Sequence, residues 1–443
     1  MTQPFSLINQ GAMHPLRLIA YTLIAWAALY LVAPVNMYTA PEVGPYLVFG
    51  GCILGAVLGL VAFEPRSLPV LSVDPVDHAR FLRRIYTIAF FLGAMGVALR
   101  TADWVFLRGV SVDMDFAGNR EKLDEGGASV LSMLSTLLVP FTLVPYFIHA
   151  LGRRAGLRIG SAWTGISLAL LWPLLTIVIG SRSSAVMSLG MLFIARMLIY
   201  PRTPRWAIWI CFIGGVGFLY VAGLIFLERI AQLGLPLQFV IQQSAFTHLV
   251  PVTQDYYTAS AQASASGADT IFIVTTLAQY YLHGIPEFVY LVQHYGAGDQ
   301  WGTYTFTTID RLVHSLAGWT FDSHHALAIT PRQGVYTTMA GPFYMDFGPL
   351  APLACFLMGA VTSWTRRRVL IGDIGAVPLL IVLTLQMTFL IIGNLVSGAY
   401  GLFYDLAFVG FWIMCRACFK SPVRIVPQPP RTTQGLPKPA AAV

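Results

Sequence analysis

The chain has 443 residues, of which 56% are hydrophobic and 11% charged. A soluble domain carries about 25% charged residues, and this chain has less than half that share with a mean hydropathy of +0.68. This balance excludes a soluble enzyme, a disordered protein and a nucleic-acid-binding module, and it points to a polytopic membrane protein.

The net charge of +7 does not signal nucleic acid, because the basic residues sit in short clusters between apolar runs, the pattern that sets membrane topology. Of the 27 basic residues only Lys122, Lys420 and Lys438 are lysines. The rest are Arg, whose planar fork suits bidentate contact with phosphate or carboxylate. The five cysteines (Cys52, Cys211, Cys355, Cys415 and Cys418) lie in or beside apolar runs, so no disulfide framework is implied. Cys415 and Cys418 form a CxxC at the end of an apolar run, without a second pair, and read as packing.

A spanning helix needs about 20 mostly apolar residues. In chain order the sequence predicts ten: Leu18–Val35, Tyr46–Phe63, Ile85–Phe106, Val130–Leu151, Trp163–Ile179, Ala185–Tyr200, Ala207–Phe226, Tyr336–Trp364, Ala376–Gly393 and Leu395–Phe419. Pro41 after Ala40 argues against cleavage of the first as a signal peptide. With the N-terminus inside, the inner segments hold Arg17, Arg66, Arg80, Arg83, Arg84, Arg153, Arg154, Arg158, Arg196, Arg202, Arg205, Arg366–Arg368 and the basic residues from Arg416 onward. That excess on the shorter segments satisfies the positive-inside rule at every loop. Asp346 and Asp405 fall within late spans, Glu64, Asp74, Asp77 and Asp373 fall inside, and the other acids face outward.

The expected fold is therefore all-α and polytopic, with about ten transmembrane helices and both ends inside. Residues 1–226 hold seven spans, 227–335 form a large outer loop, 336–419 hold three more spans, and 420–443 form a Pro-rich, disordered tail. In the large loop, Leu237–Val250 and Thr270–Tyr295 read as helical. Tyr280, Tyr281, Phe288 and Tyr290 there suit either sugar stacking or ordinary packing.

Three constellations could carry chemistry. Gly180–Val186 (GSRSSAV) joins two spans through a minimal outer turn, where Ser183 or Ser184 can cap the next helix beside Arg182. A helix start plus a guanidinium forms a phosphate receptor, while the plainer alternative is an Arg reaching to the interface. Phe116–Gly127 places Arg120 among Glu121, Lys122, Asp124 and Glu125, either a solvated face or a site. Thr308–Gly348 gathers Asp310, Arg311, His314, Asp322, His324, His325 and Arg332 before a span, with Asp346 inside it. An ionisable group at membrane depth is a functional candidate, or else a structural partner. The Asp322–His325 cluster fits no zinc pattern and reads better as a source of a general base. Asp346–Gly348 (DFG) has no accompanying kinase motifs.

Arg120 in GNREKL, the GSR turn at Gly180–Arg182 and FYMDFG at Phe343–Gly348 together resemble the Wzy-type oligosaccharide repeat-unit polymerases, the O-antigen and exopolysaccharide polymerases. The resemblance implies a fold related to the GT-C glycosyltransferases, residence in the bacterial inner membrane and a periplasmic active site. Its substrates would be undecaprenyl-diphosphate-linked glycan donor and acceptor, with no cofactor and no metal. A flippase that delivers the units and a chain-length regulator are the implied partners, beside the lipid bilayer. The leaving group is a lipid diphosphate, whose growing charge Arg residues can stabilise. Arg182, Arg332 and Arg120 are the catalytic candidates, with Asp322 or His325 as base. Ser183, Arg229, Arg311, His324, Tyr344 and Asp346 are candidates for substrate binding.

An O-antigen ligase shares the donor and the general plan, and the sequence separates it poorly from a polymerase. A lipid-linked oligosaccharide flippase or other transporter is the alternative outside enzymes. Transporters carry duplicated halves and charges within several spans. Here the polar residues gather in one outer loop.

Overall fold

The computed structural model describes residues 7–8, 14–64, 70–111, 118–119, 122–123, 130–177, 183–200, 204–295, 300–317, 329–332, 335–397, 399–419 and 422–426. Its apolar stretches are helices, the form in which a chain in lipid satisfies its own backbone polar groups. Helix α1 spans Pro15–Val32, α2 Gly44–Ala62 and α3 Pro75–Ala102. At the start of α3, Asp74 Oδ1 accepts the amide of Val76 at 2.8 Å and of Asp77 at 3.3 Å, and Pro75 occupies a position that needs no N–H. Helices α4 (Val130–Leu138) and α5 (Val144–Arg154) flank a 3₁₀ turn at Val139–Thr142, where Pro140 removes a donor. Then come α6 (Ala162–Ile177), α7 (Ser183–Ile199) and α8 (Arg205–Gln232).

The large loop is built of helices: α9 (Leu237–Gln243), α10 (Gln254–Gln262), α11 (Ala265–Leu282), α12 (Gly284–His294) and α13 (Thr307–Ala317). The chain re-enters through α14 (Ala340–Phe347) and α15 (Ala351–Leu370), separated at Gly348, whose φ of 54° suits a residue without a Cβ. Helices α16 (Val377–Thr388) and α17 (Ala399–Cys418) complete the bundle.

Seven helical segments are long and apolar enough to cross a membrane, and α6, α7 and α16 contribute three shorter apolar helices. The protein is an all-α, membrane-embedded chain. Apolar side chains such as Tyr21, Ile24 and Leu31 on α1 and Trp209, Ile213 and Val216 on α8 are exposed, as a lipid-facing surface requires. The main core surrounds α16 and draws Leu82 and Ile85 from α3, Phe147 from α5, Met191 from α7 and Phe408 from α17.

Helices α2 and α15 approach most closely. A Cβ on Gly59 would lie 2.1 Å from the Phe356 carbonyl oxygen, and one on Gly359 would lie 2.3 Å from that of Ala56. The spacing Gly51, Gly55, Gly59 is the small-residue stripe that lets membrane helices touch backbone to backbone.

Two boundaries differ from the sequence reading. The span expected at Tyr336–Trp364 ends six residues later, so Arg366–Arg368 belong to the helix rather than the loop. Arg is a good helix former, and Arg366 tolerates burial there because it pairs with Glu64 at the end of α2. Within the tail expected to be disordered, Val423–Val426 form strand β2, paired antiparallel with β1 (Val70–Val73). Alternating apolar residues and the closing of the ladder outweigh the tail's polar composition there. Strands cannot pair across lipid, so the α2–α3 connection and the chain after α17 share one side.

The large loop is fixed to the opposite end of the bundle. Phe288 of α12 packs on Phe49 of α2 at 5.5 Å and on Tyr344 of α14 at 6.0 Å between ring centroids. The α1–α2 connection runs beside residues 249–253, with Asn36 N–H donating to Pro251 O at 2.8 Å and Tyr38 N–H to Leu249 O at 2.7 Å.

Candidate functional site

The loop helices converge on Arg332. Helix α12 points Glu287 inward, and Arg332 Nε donates to its Oε2 at 2.9 Å. The Glu287 side chain is 1% exposed and that of Arg332 15%. Arg332 also donates to the carbonyl of Ala245, just past α9, and its guanidinium carbon lies 5.8 Å from the Tyr290 ring centroid. One guanidinium thus ties three segments of the loop together.

Arg332 separates two spaces. On one side is an open groove of about 430 Å³ lined by Gln242, Gln243, Ser244, Ala245, Thr247 and His248. Its amides, hydroxyl groups and imidazole offer the mixed donors and acceptors that a sugar hydroxyl needs. On the other side is a space of about 30 Å³, bounded by Glu287, Tyr290, Tyr304, Thr330 and Thr337 among others. Glu287 Oε1 is buried and has no hydrogen-bond partner among the described residues.

Burial pushes the Glu287 carboxyl up to about 7, against the opposing pull of Arg332. His283, one turn before it, is pushed down to about 4 by burial, with Arg332 adding to the fall. Phe246, Tyr280 and Tyr336 surround the His283 ring, with Phe246 closest at 4.4 Å between centroids. Gln279 braces the groove from behind, donating to Thr247 Oγ1 at 3.0 Å and Val250 O at 2.7 Å.

Asp346 faces backbone rather than a cation. Its Oδ1 accepts the amide of Tyr304 at 3.0 Å and its Oδ2 that of Thr305 at 2.9 Å, while its carbonyl accepts from Trp301 at 3.1 Å. It therefore holds the turn that carries Trp301, which is 75% exposed and has a φ of 49°. Tyr344 is buried beside Phe288, away from solvent.

The other candidates are dispersed. Arg229 lies exposed near the end of α8, and Arg311 lies in α13, where His314 contacts Asp310 at 3.3 Å. Ser183 begins α7. Arg120, Arg182, Asp322, His324 and His325 lie outside the described residues. Among the described residues no three His, Cys, Asp or Glu side chains are arranged to hold a metal.

Sequence reasoning missed Glu287, whose surroundings (GIPEFVY) put one acid in an apolar run. A lone acid among buried positions of an amphipathic helix was the available signal. It also missed the pair at the outer end of α3, where buried Asp103 accepts from Arg108 Nε at 3.0 Å. No family model, no curated protein and no solved structure matches the chain.

Proposed function

We propose that the chain is a bacterial inner-membrane glycosyltransferase that polymerises undecaprenyl-diphosphate-linked oligosaccharide repeat units at the periplasmic face. The observation that carries this reading is Arg332: a guanidinium fixed by Glu287 and Ala245 at the edge of a polar groove. The seven long and three shorter apolar helices support ten crossings in a GT-C-like arrangement, with both ends cytoplasmic. On this topology the groove is periplasmic and the β1–β2 ribbon cytoplasmic.

In the reaction, an acceptor sugar hydroxyl attacks the anomeric carbon of the growing glycan. The bond to the lipid diphosphate breaks, its electron pair stays on the diphosphate, and the hydroxyl proton passes to a base. Fixed guanidinium groups stabilise the charge that accumulates on the leaving group without reorganising. Arg332 would serve that role, with Arg182 and Arg120 joining it on the strength of the sequence motifs. Asp322 or His325 would be the base. Glu287 would position Arg332, and the amides and hydroxyls of the groove would bind sugar.

The test is reconstitution of the purified protein with one lipid-linked repeat unit and nothing else. A ladder of products is expected. Failure to extend the unit, with a folded protein and the correct sugar donor, would sink the proposal.

A further inference from the structure

A second site lies at the other end of the molecule, where α3 begins and α15 and α17 end. A pocket of about 240 Å³ opens between Phe81, the turn around Asp373, and the two arginines Arg368 and Arg416. Each arginine sits over an indole: Arg368 lies 5.7 Å from the Trp364 ring and Arg416 5.8 Å from that of Trp412. The two indoles meet edge to face at 5.2 Å, so an Arg–Trp–Trp–Arg row borders the pocket. Asp373 fixes this row by accepting from Trp412 Nε1 at 2.8 Å, and it lies 3.9 Å from Arg416. Arg368 Nε is buried with no hydrogen-bond partner among the described residues. Two guanidiniums thus face one carboxylate, leaving the pocket positive.

The surface below the pocket indicates the ligand's other half. Leu357, Val361 and Trp364 are exposed at helical spacing on α15 and lead to Arg368. Val409 and Ile413 do the same on α17 and lead to Arg416. Two apolar stripes therefore rise along lipid-facing helices to a cationic, aromatic-lined pocket at the membrane boundary. We propose that this pocket holds the phosphate headgroup of an anionic membrane phospholipid, with the acyl chains lying along the two stripes. Free phosphate would use the guanidiniums but leave the stripes without a role. The site is independent of the groove at Arg332.

The test is native mass spectrometry of the purified full chain in detergent, supplied with phosphatidylglycerol, phosphatidylcholine or inorganic phosphate. Retention of phosphatidylglycerol in preference to phosphatidylcholine is expected, without displacement by millimolar phosphate. The doubly substituted R368Q/R416Q chain should bind phosphatidylglycerol about thirtyfold more weakly, while an R332Q chain binds it normally. Should the double variant not fold, R416Q alone, altering a side chain that is 56% exposed, should weaken retention about fivefold. Equal retention of the two lipids, displacement by phosphate, or unchanged binding in the folded variants would overturn the proposal.

Discussion

Glu287 and Arg332 stand 45 residues apart in the chain and meet at 2.9 Å, with the acid more deeply buried than the base. The asymmetry matters because the pair divides its work. Glu287 is walled in by the small space behind it, whereas Arg332 borders the open groove. A buried carboxylate can hold a cation in place while leaving the cation's other donors for a ligand.

Removing the cation should therefore cost both fold and function. Arg332→Ala leaves Glu287 buried without its counter-charge, a change worth about 3–5 kcal/mol in buried pairs. The loss should be smaller at pH 5 than at pH 8, because protonation relieves the orphaned acid. Arg332→Lys keeps the charge but not the fork, so it should insert and fold yet extend chains about a hundredfold more slowly. Thermal unfolding at the two pH values and product ladders from reconstituted protein check these outcomes. Normal ladders from the Lys variant would remove the guanidinium from the mechanism.

The Glu287 carboxyl also predicts a pH dependence. It titrates near 4.5 when exposed and near 7 in the folded protein, so the folded state holds more protons between those values. Its contribution to stability is complete below about pH 4.5 and is lost as pH rises through about 7, a span worth roughly 3 kcal/mol. His283, held down near 4, works the other way, because stability rises as its unfolded form loses protons up to about 6.5. The readout is consequently the difference between wild type and Glu287→Gln. That variant should abolish the fall assigned to Glu287 and leave the His283 rise. Identical pH profiles for the two proteins would show that the carboxyl does not titrate in this window.

Arg182 can be tested without reference to its surroundings. The GSR turn joins two apolar segments and needs no Arg to close. Arg182→Ala should abolish chain extension in cells while membrane insertion is unaffected. Polymer of normal length in that strain would exclude the residue from the reaction.

Much of the membrane architecture was legible because hydropathy and charge act locally. Each apolar run must become a helix in lipid, and Arg clusters mark the ends. Arg332 was legible for the same reason, as a cation between a polar loop and a span. Glu287 was not, since only folding of α12 against Arg332 distinguishes it from an acid on a solvated helix face. Asp346 stood out as an acid at membrane depth, but its partners are backbone amides 41 and 42 positions away, which no local pattern specifies. The strand at Val423–Val426 depended likewise on a partner near residue 70.

The role of Asp346 yields a distinct expectation. Asp346→Ala deprives the amides of Tyr304 and Thr305 of their acceptor, and each buried orphan costs about 1–3 kcal/mol. The variant should lose about 2–5 kcal/mol of stability and release the turn carrying Trp301. Asp346→Asn keeps one acceptor oxygen and should fall between wild type and the Ala variant. Hydrogen exchange of residues 300–306, with thermal unfolding, checks this. If the Ala variant keeps full stability and protection but loses substrate affinity, Asp346 contacts substrate instead of supporting the turn.

The closest packing in the bundle gives the sharpest structural test. At Gly55 a Cβ would sit 2.3 Å from the Pro352 carbonyl oxygen, and at Gly59 2.1 Å from that of Phe356. Backbone atoms cannot move aside as a flexible side chain can, so even Ala at either position must push α2 away from α15. Such separation costs about 1–3 kcal/mol per site, and the glycines share one interface, so the double variant should lose less than the sum of two independent sites. At Gly50 a Cβ meets nothing within 4 Å. Gly50→Ala should be neutral or slightly stabilising, because Ala is the better helix former. Thermal unfolding of the three single variants in detergent separates the cases. Equal melting temperatures for Gly50→Ala and Gly59→Ala would mean that α2 and α15 do not meet along the glycine stripe.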